Sequence, residues 1–172
     1  IIALSLLYFK AVKVKMLPFD NKNEFQVLVD FKNTTPLSQT LRLSEELSKI
    51  LLQNNEVKKV QVYVGDSAPF SFSGMVKHTF LRGEDDQADL QVVLSEKNDR
   101  KVSSHQIIES LRPAITEFGK KYGAVTKVLE IPPGPPVLAT MIAEVYGPTR
   151  ESREKVAGEI YEIFKNEKSV VD

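Results

Sequence analysis

Residues 25–64 read FQVLVDFKNTTPLSQTLRLSEELSKILLQNNEVKKVQVYV, and the period of their apolar residues changes twice. Phe25, Val27, Val29 and Phe31 alternate with Gln26, Leu28 and Asp30, the period of a half-buried strand. Thr34, Thr35 and Pro36 then open a helix, with Pro36 expected at the first helical position, where a missing N–H costs nothing. Leu37, Leu41, Leu47, Ile50 and Leu51 recur at helical spacing and are expected to form its apolar face. Asn54 and Asn55 end the helix, and Val60, Val62 and Val64 restore the strand period as far as Gly65. The stretch is one strand–helix–strand unit.

Downstream the same order recurs. Asp66 to Gln87 is non-periodic and rich in Ser, Gly, Pro and aromatic residues, after which Ala88, Leu90, Val92 and Leu94 mark a third strand. Ser103 and Ser104 suit a helix cap, and Ile107, Ile108, Leu111, Ile115, Phe118 and Tyr122 lie on one helical stripe. Pro113 inside that helix removes a backbone bond to Glu109 and predicts a kink. Gly123 fits the stop, and Val125 to Ile131 reads as a fourth strand. Two such units, repeating at about 60 residues, predict an α+β fold of the ferredoxin-like split βαβ kind, a sheet with two helices on one face.

Pro132 to Pro136 (PPGPP) is a stiff extended connector. Beyond it Leu138 to Tyr146 reads as a strand, and Pro148 and Thr149 open a helix with Val156, Ile160, Ile163 and Phe164 on its inner face. This is expected to be the start of a second βαβ subdomain. The domain boundaries that follow are 24–132 and 137–172.

The 172 residues are 42% hydrophobic, enough for a core, which excludes a wholly disordered chain. Lys and Arg total 23, as do Asp and Glu, so nothing in the charge balance calls for a nucleic-acid partner. The absence of Cys excludes disulfides, thiolate metal sites and a cysteine nucleophile. Ile1 to Phe9 is apolar and is closed by Lys10, Lys13 and Lys15. It is shorter than the roughly 20 residues of a membrane span and lacks the basic start of a signal peptide. A buried amphipathic helix, a shortened signal peptide and the last turns of a membrane helix all fit. Both ends of the chain are expected to continue into further sequence.

No catalytic constellation emerges, so nothing in the residues calls for an enzyme, a metal site or a cofactor. His78 and His105 are the only histidines, and His105 is expected to be an exposed residue in the first turn of its helix. Glu84, Asp85, Asp86 and Asp89 lack the spacing of a calcium loop and read as a solvated acidic turn. Gly65, Gly74 and Gly83 are isolated and form no phosphate loop. The loop from Ala68 to Met75 (APFSFSGM) is the notable feature. Phe70 and Phe72 either tuck under it as a satellite core or form a mobile aromatic surface for apolar ligands, with Gly74 as hinge and Met75 as an adaptable contact.

Three segments, VKMLPFDNKNEFQVLVD at 14–30, PFSFSG at 69–74 and LEIPPGPPVLATMIAEVYGP at 129–148, together resemble resistance–nodulation–division (RND) multidrug efflux permeases. The resemblance runs across essentially the whole chain. It implies that residues 1–15 are the periplasmic end of a transmembrane helix, 24–132 the first porter subdomain of the second half, and 137–172 the start of the next, truncated. The segment containing Phe70, Phe72, Gly74 and Met75 is similar to the family's flexible loop between two substrate pockets, and Tyr63 is similar to a pocket aromatic.

The implied function is the substrate-handling part of a proton-driven permease for hydrophobic or amphiphilic compounds, a homotrimer working with a periplasmic adaptor protein and an outer-membrane channel. The implied location is the bacterial inner membrane, with this segment mostly periplasmic. The family's proton-relay residues lie outside the chain. The alternatives are a heavy-metal RND exporter, for which Met16, Met75 and Met141 are the available soft ligands, and a freestanding ferredoxin-like binding module.

Overall fold

The two strand–helix–strand units interleave into one sheet. The computed structural model describes residues 21–69, 72–130 and 142–167. In chain order the first unit holds β1 (Glu24–Asp30), α1 (Leu37–Leu51), β2 (Val57–Val64), a short α2 (Phe72–Val76), a 3₁₀ turn (Thr79–Leu81), β3 (Gln87–Leu94), α3 (Ser104–Tyr122) and β4 (Val125–Glu130). The strand order is β2-β3-β1-β4, and every neighbouring pair is antiparallel. Each βαβ unit thus straddles one strand of the other, which is the ferredoxin-like split βαβ arrangement predicted from the periodicity.

Alternation puts one side of each strand under the helices. Phe25, Val27, Val29 and Phe31 of β1 and its exit are buried, as are Ala88, Leu90, Val92 and Leu94 of β3 and Val128 of β4. They form one cluster with Leu43, Leu47 and Leu51 of α1 and with Ile107, Ile108, Leu111, Ile115 and Phe118 of α3. Phe31 and Phe118 meet edge to face with ring centres 6.4 Å apart. Burial of each large apolar side chain contributes about 1.5–3 kcal/mol as an upper bound, so this cluster supplies the main driving force.

Two local expectations need correcting. Pro36 is the N-cap of α1, one residue earlier than the predicted first helical position, with extended φ −72° and ψ 152°. The buried face of α1 is Thr40, Leu43, Ser44, Leu47 and Leu51, while Leu37 and Leu41 are 44% and 46% exposed. Two leucine ladders overlap on this helix, and the one flanked by small Thr40 and Ser44 lets the helix lie close to the sheet. Leu37 instead packs beside Gly65, where an added Cβ would stand 2.7 Å from Leu37 Cδ1 and a φ of +65° would strain any residue with a side chain. The helix assignment of α3 continues through Pro113, which lies on its exposed side, where water can satisfy the carbonyl that the proline leaves without a partner.

The termini of α3 follow the sequence. Ser103 Oγ accepts from Gln106 N–H while the Gln106 side chain accepts from Ser103 N–H, a reciprocal capping box. Gly123 closes the helix at φ 63°.

The second unit spans Val137–Asp172 and its described part carries α4 (Arg150–Asn166), capped by Thr149. Residues 142–146, the described part of the predicted strand, have no regular structure. A strand is held by its ladder to a neighbour, and no described residue of this unit provides one. Accordingly α4 has no buried residue, and Val156 and Ile163 are exposed. Among the described residues no helix is long and apolar enough to cross a membrane. Residues 1–15, the proline-rich connector and Ile131 lie outside the described residues.

Candidate functional site

The side of the sheet away from the helices is where the candidate site is built. Register places Tyr63 of β2 beside Asp89 of β3, Asp89 beside Leu28 of β1, and Leu28 beside Lys127 of β4. Helices cover the opposite face, yet Asp89 is only 1% exposed and Leu28 only 6%. Over Asp89 lies the segment between β2 and β3. Its start is fixed where the Ala68 N–H donates to Asp89 Oδ2 at 3.1 Å. Its end is fixed by Arg82, whose Nε donates to Asp89 Oδ1 at 2.6 Å and Nη1 to Asp30 Oδ1 at 2.5 Å. Arg82 Nη2 adds bonds to the carbonyls of Val29 and Ala88 at 3.0 and 3.3 Å.

Electrostatics follow from that burial. Desolvation pushes the Asp89 carboxyl above its ordinary 3.8, against the Ala68 amide and Arg82, which pull it down, while Asp30 pushes it further up. Burial also pushes the Lys77 ammonium down.

Between the two fixed ends, the expected non-periodic loop contains a turn of α2 and the 3₁₀ turn. His78 joins them in the left-handed region at φ 57°, a strained conformation for a residue with a Cβ. Thr79 Oγ1 donates to the Gly74 carbonyl at 3.4 Å. Met75, Phe80 and Leu81 remain exposed, Leu81 by 71%. Large apolar side chains that a fold leaves in water on one short segment are candidate ligand contacts.

The predicted site residues fall unevenly on this frame. Tyr63 lies on the helix-free face, half-buried, next to the residue that anchors the loop. Gly74 and Met75 sit within α2, Gly74 buried and Met75 exposed, and Phe72 begins that helix. Phe70 lies outside the described residues.

Two features escaped the sequence reading. Asp89 is not part of a solvated acidic turn but a buried carboxylate paired with Arg82. Its position in the middle of an alternating apolar run was the available signal. His105 is not simply exposed: its Nδ1 lies 2.9 Å from Glu130 Oε1 and its Nε2 3.4 Å from Glu109 Oε1. That partner on β4 is distant in sequence and had no local signature.

Other surfaces gather less. A polar hollow lined by Asn55, Glu56, Lys58, Ser95, Glu96 and Asp99 contains none of the predicted residues. Among the described residues no three His, Cys, Asp or Glu side chains group as a metal site would. Met16 and Met141 lie outside the described residues.

No family model matches the sequence. No curated protein matches it either. Solved structures do resemble it. A heavy metal efflux pump in one crystal form superposes with a TM-score of 0.61 at 15% identity, over 95% of this chain and 17% of the pump. A second crystal form of a heavy metal efflux pump gives a TM-score of 0.58 at 16% identity, again over 95% of this chain and 17% of the other. The chain therefore spans about a sixth of the length of these neighbours, and at this identity the likeness is one of fold.

Proposed function

We propose that this chain is a substrate-handling porter region of an RND efflux permease, and that the helix-free sheet face with its anchored loop contacts the exported compound. The observation that carries the reading is local: a segment pinned at both ends to the sheet holds Met75, Phe80 and Leu81 in solvent beside the Tyr63 face. A surface that is apolar yet fixed at its base suits a bulky hydrophobic or amphiphilic ligand. Likeness in fold to an efflux pump over 95% of the chain, and the resemblance of three sequence segments to these permeases, support it. In this reading Phe70, Phe72, Gly74, Met75 and Tyr63 form the contact surface. Residues 24–132 are one porter subdomain, 137–172 are the truncated start of the next, and 1–15 end a membrane helix. The chain then works in a transporter rather than an enzyme, as part of an inner-membrane homotrimer with its porter region in the periplasm and an adaptor and outer-membrane channel as partners.

A second reading has its own observation, since both neighbours are heavy metal efflux pumps. The exported species would then be a soft metal ion, and Met75 is the exposed thioether that could meet it. One experiment separates the two. Cells expressing the full-length protein are compared with empty cells for retention of a lipophilic fluorescent dye and for growth on copper, silver and zinc salts. Lower dye retention with unchanged metal tolerance is expected. Metal tolerance alone would transfer the conclusion to the second reading, and neither effect would remove both.

A further inference from the structure

We propose that Arg82 and Asp89 are positioning residues: one buried carboxylate clips both ends of the Ala68–Arg82 segment to the helix-free face and so sets where its apolar residues are presented. The clip stands on geometry alone, while its effect on a ligand rests on the reading above. The two oxygens of Asp89 divide the work. Oδ2 holds the entry of the segment through the Ala68 N–H, and Oδ1 holds its exit through Arg82 Nε. The guanidinium then spreads its remaining N–H groups over Asp30, Val29 O and Ala88 O, tying the exit to β1 and β3 together. A planar fork can do this, whereas a point charge such as an ammonium could satisfy only part of it.

Inside the segment, backbone bonds among the described residues join near neighbours. His78 N–H donates to Met75 O, Leu81 N–H to His78 O and Arg82 N–H to Thr79 O. The short helix and the 3₁₀ turn pack chiefly on each other. The two ends carry bonds from the described residues of the segment to the strands. An ion pair with side chains 12% and 2% exposed is a poor source of stability, because desolvation offsets most of its attraction. Its use here is to select one placement of the segment over others.

The test is hydrogen exchange on the full-length protein, parent against Arg82→Met, Arg82→Lys and Asp89→Asn. Amides from Ala68 to Leu81 should exchange about tenfold or more faster in Arg82→Met and Asp89→Asn, the scale of losing a charge-assisted hydrogen bond, with β1 and β3 unchanged. Arg82→Lys should fall between. If Asp89→Asn fails to fold, the double change Arg82→Met with Asp89→Leu removes both charges together and gives the same readout. Unchanged exchange in the segment overturns the clip, and so does an equal acceleration throughout the sheet. Dye export measured on the same variants keeps the two ideas apart. Faster local exchange with normal export leaves the clip standing and sinks the substrate role of the segment. Lost export with unchanged exchange overturns the clip and leaves that role intact.

Discussion

Arg82 Nε lies 2.6 Å from Asp89 Oδ1, on the face of the sheet opposite α1 and α3. The pair explains how a ferredoxin-like sheet acquires a second covered face. Leu28 and Ala68 are buried there along with Asp89. The contact joins a strand residue to a loop residue, so the loop inherits the rigidity of β3 at its ends while Met75, Phe80 and Leu81 stay in water.

Arg82→Met should raise the Asp89 pKa further, because the nearby cation is one of the influences holding it down. The folded-state value already lies above the unfolded 3.8. This group's contribution to stability is therefore full below 3.8 and is lost as pH rises through the folded value. Widening that gap should make the variant lose more stability than the parent between acid and neutral pH. Carboxyl-carbon NMR titration and denaturant midpoints at the two pH values check this. An Asp89 that titrates identically in both proteins would contradict it.

Leu111→Ala should cost about 2–5 kcal/mol, since Leu111 is 6% exposed on the stripe that α3 presses onto the sheet. Denaturant unfolding measures it. An unchanged midpoint would place the wrong face of α3 inside.

Ser103→Ala should cost about 0.5–2 kcal/mol by removing one half of the capping box with Gln106. The loss should be selective for the first turn of α3, visible as faster exchange near Gln106 before Phe118 is affected. A uniform loss along the helix would argue against the cap.

Much of the fold was legible because strands and helices advertise themselves by period. Phe25 to Phe31 and Ala88 to Leu94 alternate cleanly, and the stripe from Ile107 is buried as far as Phe118, with Tyr122 partly so. Leu37 and Leu41 misled because α1 carries apolar residues on more than one side, and period alone does not say which ladder meets the sheet. The site was less legible. Asp89 was grouped with Glu84, Asp85 and Asp86 by nearness in sequence, although its partners Ala68 and Arg82 lie at the two ends of the segment that precedes β3. The same holds for His105 and Glu130, whose pairing depends on β4 returning beside the start of α3. Local pattern reveals faces, whereas ion pairs across elements appear only when the topology is known.

The central claim is that the loop after β2 touches the exported compound. Its most direct measurement is efflux of a lipophilic dye by cells carrying the full-length protein with Phe70→Ala and Phe72→Ala together, alongside the abundance and melting temperature of the purified variant. Contact residues outside a packed core should cost under about 1 kcal/mol of stability. The account predicts dye efflux lost with abundance and melting preserved, and bulky compounds affected more than small ones. Efflux and stability falling together, or efflux unchanged, would contradict it.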